Sequence, residues 1–191
     1  MSLLMGDTEI EQDIHMSSRL VALLEELETV GLLIKENPND DELWCKRLML
    51  AEELGAHAEG AQLEFTKEIL LEDPSNKYAW SQRKSVLESS CGWEEEEELE
   101  LCDQFIHANK FKGSDECAWD QRYFVVGKSV TQVQLEAEAL YARKVILATP
   151  ENKHAWAYLR CMYRRFKVVG EGSEFKDELL DDIHDCFWCK R

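Results

Sequence analysis

The chain has 191 residues, 45% of them apolar and 32% charged, and its 39 acids against 22 lysines and arginines leave a formal net charge of −17. That apolar share excludes a disordered chain, and an acidic surface whose largest cationic group is Arg164-Arg165-Phe166-Lys167 excludes a nucleic-acid binder, because a phosphate backbone has to be met by a basic stripe. With no stretch long enough for a membrane span, no secretory pattern at the N-terminus and seven cysteines placed mainly in helical registers, the expectation is a cytoplasmic protein with reduced thiols.

Residues 1–16 are polar and lack a period, so a flexible N-terminus is expected there, with Met1 to Leu4 in part foreign to the natural chain. From Ser17 a single helical-repeat domain is expected to run to residue 191, as repeats over about 17–55, 61–91, 94–127 and 132–169 and a capping or partial fifth helix over 173–188. Leu20, Leu23, Leu24, Leu27, Leu32, Leu33 and Ile34 mark the first helix, which Asn37-Pro38 ends. Leu63, Phe65, Ile69 and Leu70 line the first helix of the second repeat, and its second helix closes at Ser89-Ser90-Cys91-Gly92. The run Glu94 to Glu98 opens the third repeat as a solvated stretch whose charge matches the positive end of a helix dipole, and Leu99, Leu101, Cys102, Phe105 and Ile106 follow it. In the fourth repeat Leu135, Leu140, Val145, Ile146 and Leu147 lead to Pro150, and Trp156, Leu159, Met162 and Tyr163 follow.

One phrase recurs in all four repeats. Its anchors are Trp44, Trp80, Trp119 and Trp156, separated by 36, 39 and 37 residues, a spacing that belongs to stacked helical hairpins. All three prolines, Pro38, Pro74 and Pro150, lie six residues before one of these tryptophans, with Gly113 in that place in the third copy. Asn39, Asn76, Asp115 and Asn152 stand near the N-cap, and Arg47, Arg83 and Arg122 lie three residues after their tryptophans, where the last copy has Leu159 and then Arg160. The phrase therefore reads as a breaker, a cap and the first turns of a helix whose tryptophan heads a buried stripe. The fold class that follows is all-α, a right-handed superhelical array of α-α hairpins, which as a class binds other proteins along a curved face.

No catalytic or nucleotide-binding motif is present. His184, Cys186 and Cys189 supply three zinc-type ligands without a visible fourth, so no metal is expected on this chain.

The repeated phrase resembles that of protein prenyltransferase α subunits, which runs close to N-Y-H-A-W-x-x-R. Leu63-Glu64-Phe65, Ile69-Leu70 and Asn76-Lys77-Tyr78-Ala79-Trp80 are similar to the family's lysine-bearing repeat. Ala118-Trp119-Asp120-Gln121-Arg122-Tyr123-Phe124-Val125-Val126 is close to its W-N-Q-R-Y-F-V-I segment, and Ala155-Trp156-Ala157-Tyr158-Leu159-Arg160 to its A-W-N-Y-L segment. The resemblance covers about residues 17 to 170 and favours the α subunit shared by farnesyltransferase and type I geranylgeranyltransferase. A Rab-type α subunit comes second, on Glu98-Leu99-Glu100-Leu101-Cys102, and a helical-repeat interaction scaffold without catalysis is the alternative outside the enzymes.

The resemblance implies a heterodimer in which a crescent of paired helices wraps a β subunit. The β subunit carries the zinc, with magnesium as a further ion, and the lipid pocket; no cofactor is expected on this chain. The reaction implied is attack of a zinc-bound thiolate of a C-terminal-box cysteine on an isoprenoid diphosphate. From the corner before Trp80 the α subunit would lend a cation to the departing diphosphate and a polar contact to the carboxylate of the substrate protein's C-terminus. In direct register Ser75 occupies the family's lysine position. Lys77 is therefore the candidate cation, and Ser75 and Tyr78 are the candidate substrate contacts. The family's arrays are longer, so a shortened chain or a piece of a longer one is expected.

Overall fold

The structure is a computed structural model that describes residues 4–90, 92–107, 115–128 and 131–169, with side chains described from residue 17 to residue 165 within those limits. The expected helix over 173–188 and the His184, Cys186 and Cys189 group lie outside the described residues. Among the described residues the chain is all-α, built of paired helices without a strand. In order these are α1 (Leu4–Glu36), α2 (Asp41–Leu54), a 3₁₀ turn at Gly55–His57, α3 (Glu59–Glu72), α4 (Lys77–Ser89), α5 (Glu95–Ile106), α6 (Asp115–Val126), α7 (Gln132–Ala148) and α8 (Lys153–Val169). Consecutive helices pair as hairpins, α1 with α2, α3 with α4, α5 with α6 and α7 with α8.

Helix α1 starts at Leu4, in a stretch where Glu, Gln and Met are strong helix formers. The chain divides into two compact units, Met1–Trp93 and Glu94–Arg191. In the first unit α2 packs on α4, and in the second α6 packs on α8, so the second helix of each hairpin carries the stacking.

The core follows the tryptophan stripe. Trp44, Trp80 and Trp119 are buried, as are Val86, Leu87, Val125 and Val126 about two turns on, while Trp156 is half-buried against the expectation that all four are core. Along α1 only Leu27, Val30 and Ile34 among the described apolar side chains reach the core, together with Gly31; Leu24, Leu32 and Leu33 are exposed, as are Leu140 and Leu147 of α7. A helix with one partner buries one stripe, and apolar residues a half-turn off it stay in water. The expected solvated run Glu94 to Glu98 is also corrected at its end. Glu98 shares the face of Leu101, Cys102 and Phe105, is 3% exposed and accepts a hydrogen bond from Gln121 Nε2 at 2.9 Å.

Candidate functional site

The pre-tryptophan corner is held by three sets of hydrogen bonds, and they explain the recurring phrase. The first ties the proline to the tryptophan. The indole Nε1–H of Trp44 donates to the carbonyl of Pro38 at 2.9 Å, that of Trp80 to Pro74 at 2.9 Å and that of Trp156 to Pro150 at 2.8 Å. Six residues is the reach needed for a helix-opening indole to fold back on the carbonyl of the corner, and a buried indole N–H requires an acceptor.

The second set is the asparagine. Asn76 Oδ1 caps α4 by accepting from Ala79 N at 2.9 Å, while its Nδ2 crosses to the preceding corner and donates to Pro38 O at 3.0 Å. Pro38 O thus serves two donors from two hairpins. Asn152 repeats the arrangement, accepting from His154 N and Ala155 N at 3.0 Å each and donating to Asp115 Oδ2 at 2.7 Å. In that corner, where glycine replaces proline, Trp119 Nε1 also donates to Asp115 Oδ2 at 3.2 Å. One side-chain oxygen of Asp115 therefore replaces the doubly used carbonyl of Pro38. In the first hairpin the cap is Asp40, one residue beyond Asn39, accepting from Glu42 N at 3.0 Å and Leu43 N at 3.1 Å.

The third set is the arginine. Arg47 Nη1 donates to Leu27 O at 2.7 Å and Arg83 Nη1 to Leu63 O at 2.6 Å, each clamping the second helix of a hairpin to the backbone of the first. Arg122 reaches Leu99 O at 3.4 Å and adds carboxylates: Asp103 at 2.5 Å, and Glu138 through Nε at 2.6 Å and Nη2 at 2.8 Å. Glu138, 7% exposed, also accepts from the hydroxyl of Tyr158 at 2.7 Å, so α6, α7 and α8 meet at one carboxylate. Burial alone would lower Arg122, but the two-toothed pairing with Glu138 outweighs it and the guanidinium is held above its ordinary value. Burial, then Glu138, pushes the Tyr158 phenol well above its ordinary value; burial, then Asp103, does the same to Tyr141. Burial instead draws Arg47 down to about 10, with Glu68 pulling the other way.

The candidate residues occupy the second corner. Ser75 is exposed and turned back on Asp73, whose Oδ1 accepts from Ser75 N at 3.0 Å and from Ser75 Oγ at 2.6 Å. Lys77 is the first residue of α4 and exposed, with Nζ 5.1 Å from the centre of the Tyr78 ring. Tyr78 is half-buried and stacks on Trp44 of the preceding hairpin, centres 6.2 Å apart and planes 13° from parallel. Its ring borders an open groove of about 540 Å³ between α2 and α4, with Trp44, Leu48, Gln82 and Ser85. Ser75, Lys77 and Tyr78 thus share one corner, with the Lys77 ammonium beside the Tyr78 ring at the start of α4 and the Asp73 carboxylate on Ser75. Periodicity does not single out Glu138, whose carboxylate accepts from Arg122 and Tyr158; its signal in the sequence is an acid at a buried register of α7. Among the described residues no group of three or more His, Cys, Asp or Glu side chains could hold a metal, and no helix is long and apolar enough to cross a membrane.

Paired helices, a repeated corner and a repeated clamp define a helical-hairpin repeat protein. The particular repeat is also shown: residues 61–90, which span most of α3 and all of α4, match the protein prenyltransferase alpha subunit repeat. The chain is similar to the protein farnesyltransferase/geranylgeranyltransferase type-1 subunit alpha of Arabidopsis thaliana, 39% identical over 77 residues, and to that of Pisum sativum, 36% identical over 77 residues. Each match covers 38% of this chain and 22% of the relative, so the chain spans about a fifth of the length of the curated relatives that it matches.

Proposed function

We propose that this chain acts as the α subunit, or the part of one that carries these repeats, of a heterodimeric protein prenyltransferase that moves farnesyl or geranylgeranyl from its diphosphate to a cysteine near a substrate protein's C-terminus. The observation that carries this reading is the α3–α4 hairpin, where the match to the family repeat coincides with the corner that presents Lys77 and Tyr78. The chain's part is mainly to scaffold a β subunit, which supplies the zinc and the lipid pocket; what the described residues of this chain can add is charge and hydrogen bonding. Lys77 would neutralise charge on departing diphosphate, aided by the α4 dipole, and the Tyr78 hydroxyl would donate to a peptide carboxylate across the groove.

A second reading, a repeat scaffold without catalysis, is favoured by one observation. Ser75 stands in the lysine register and is engaged by Asp73, an acid that would repel an approaching diphosphate. Co-expression with the farnesyltransferase β subunit of the same organism separates the two. A stable one-to-one complex supports the α-subunit reading, and a folded chain that does not co-purify with β supports the scaffold.

A further inference from the structure

The two units treat the same place in the repeat differently. In the second, Arg122 reaches Leu99 O, lies 3.8 Å from the centre of the Tyr141 ring and pairs with Asp103, four residues after Leu99. In the first, Arg47 likewise reaches Leu27 O at 2.7 Å and lies 3.6 Å from the centre of the Phe65 ring, but four residues after Leu27 stands Gly31. A Cβ on Gly31 would come within 2.7 Å of Arg47 Nη1 and 3.2 Å of Phe65 Cε2. A carboxylate and a phenol are thus replaced by bare backbone and a phenyl ring, and a cavity of about 410 Å³ with Gly31 and Phe65 in its wall lies between α1 and α3.

The mouth of this cavity is both apolar and acidic. Leu24, Glu28 and Leu32 follow one another at four-residue steps along α1 and so share a face, with the two leucines 37% and 61% exposed. Glu64 borders the same cavity from α3. Of the other charges there, Lys35 and Glu68 pair with each other at 2.6 Å, and the guanidinium of Arg47 is buried on Leu27 O and the Phe65 ring. The carboxylates of Glu28 and Glu64, both exposed, have no hydrogen-bond or ion-pair partner among the described residues. Exposed leucines around a cavity mark a contact surface, and two unpaired carboxylates beside them set the sign of charge that it accepts.

We propose that this crease receives a helical segment of a partner protein, one that places a leucine-sized apolar side chain in the cavity and a lysine or arginine against Glu28 and Glu64. A crease between two helices takes a third helix by its apolar stripe. The buried anchor supplies the affinity, and the exposed ion pairs, each weak, select a basic segment over an acidic one. The surface lies between α1 and α3, whereas Lys77 and Tyr78 stand at the α4 side of the groove between α2 and α4, so it does not depend on prenyl transfer.

The test is nuclear magnetic resonance of the full chain titrated at constant ionic strength with an acetylated, amidated helical peptide that carries leucines at every third or fourth position and lysines beside them. Two twins serve as references, one with glutamate for each lysine and one with serine for each leucine. The lysine-leucine peptide is expected to give saturable shifts of the Gly31 amide and the Leu24 and Leu32 methyls that leave the Tyr78 ring in place, and each twin to bind at least about tenfold more weakly. Glu28→Gln with Glu64→Gln is expected to weaken binding about threefold to tenfold, and Leu32→Ser at least about threefold, each in a chain whose circular dichroism is unchanged. Glu72→Gln with Glu88→Gln, an equal change of charge at exposed positions outside the cavity, should leave it within about twofold. No saturation by about 1 mM peptide, equal binding of the serine twin, or an equal loss in the Glu72 and Glu88 pair would overturn the proposal. So would shifts of Gly31 and Leu32 that grow with protein concentration in the absence of peptide, because a second copy of this chain would then be the occupant.

Discussion

Replacing Asn76 tests the corner as a joint between hairpins. The side chain is 2% exposed and does two things at once, capping α4 through Ala79 N and donating to Pro38 O across the hairpin boundary. Asn76→Ala removes both. Loss of an N-cap costs about 1 kcal/mol, and loss of one buried hydrogen bond about another 1 kcal/mol, with Pro38 O still satisfied by Trp44. The sum, about 2 kcal/mol, corresponds to a fall in Tm of roughly 8–16 °C for a cooperative unit of this size. Asn76→Ser keeps an oxygen able to cap and loses only the crossing donor, so about half the effect is expected. Asn39→Ala, at an exposed position beside the actual cap Asp40, should change stability by less than about 0.5 kcal/mol. Urea and thermal unfolding of the three variants measure the series. A serine variant as stable as the native chain would show that the contact with Pro38 contributes nothing, and equal losses at Asn39 and Asn76 would refute the assignment of the joint.

Glu138→Ala should cost about 3–5 kcal/mol in urea unfolding of the second unit, towards the lower end because Asp103 still faces Arg122. Tyr158 is held protonated above its ordinary value near 10, so the folded form binds more protons than the unfolded form at higher pH; the stability it adds is complete below about pH 10 and is lost as pH rises beyond it. Tyr158→Phe should therefore flatten the alkaline fall in Tm, and a variant curve parallel to the native one would count against this linkage. In a reconstituted heterodimer Lys77→Ala should slow single-turnover transfer by about tenfold to a thousandfold with unchanged subunit affinity, and an unchanged rate would retire Lys77 from catalysis.

Much of the fold was legible because the repeat writes its register in rare residues. Three prolines and four tryptophans locate the corners, and the observed helices open where that register says. What the register could not show is why it exists. That Pro38 O takes an indole and an asparagine together, and that Asp115 Oδ2 does the same where proline is missing, depends on side chains meeting across 37 or 38 residues of chain. Periodicity misjudged Leu24, Leu32 and Glu98, since a short helix pattern gives a stripe without saying how wide a stripe its neighbours cover. Tyr78 was legible as a residue of the corner, but its stacking on Trp44 is a tertiary contact that no local pattern encodes. What each of these arginines meets was hidden for the same reason, because Arg47, Arg83 and Arg122 look alike in sequence while Phe65, Thr66 and Glu138, which meet them, stand on other helices.

The central claim, that these hairpins serve a prenyltransferase, is tested most directly by co-expressing the chain with a farnesyltransferase β subunit of the same organism and measuring transfer of labelled farnesyl from its diphosphate to a peptide ending in a cysteine box. The account predicts transfer by the co-purified pair and none by either chain alone. A pair that assembles and binds both substrates but transfers no farnesyl or geranylgeranyl would contradict it.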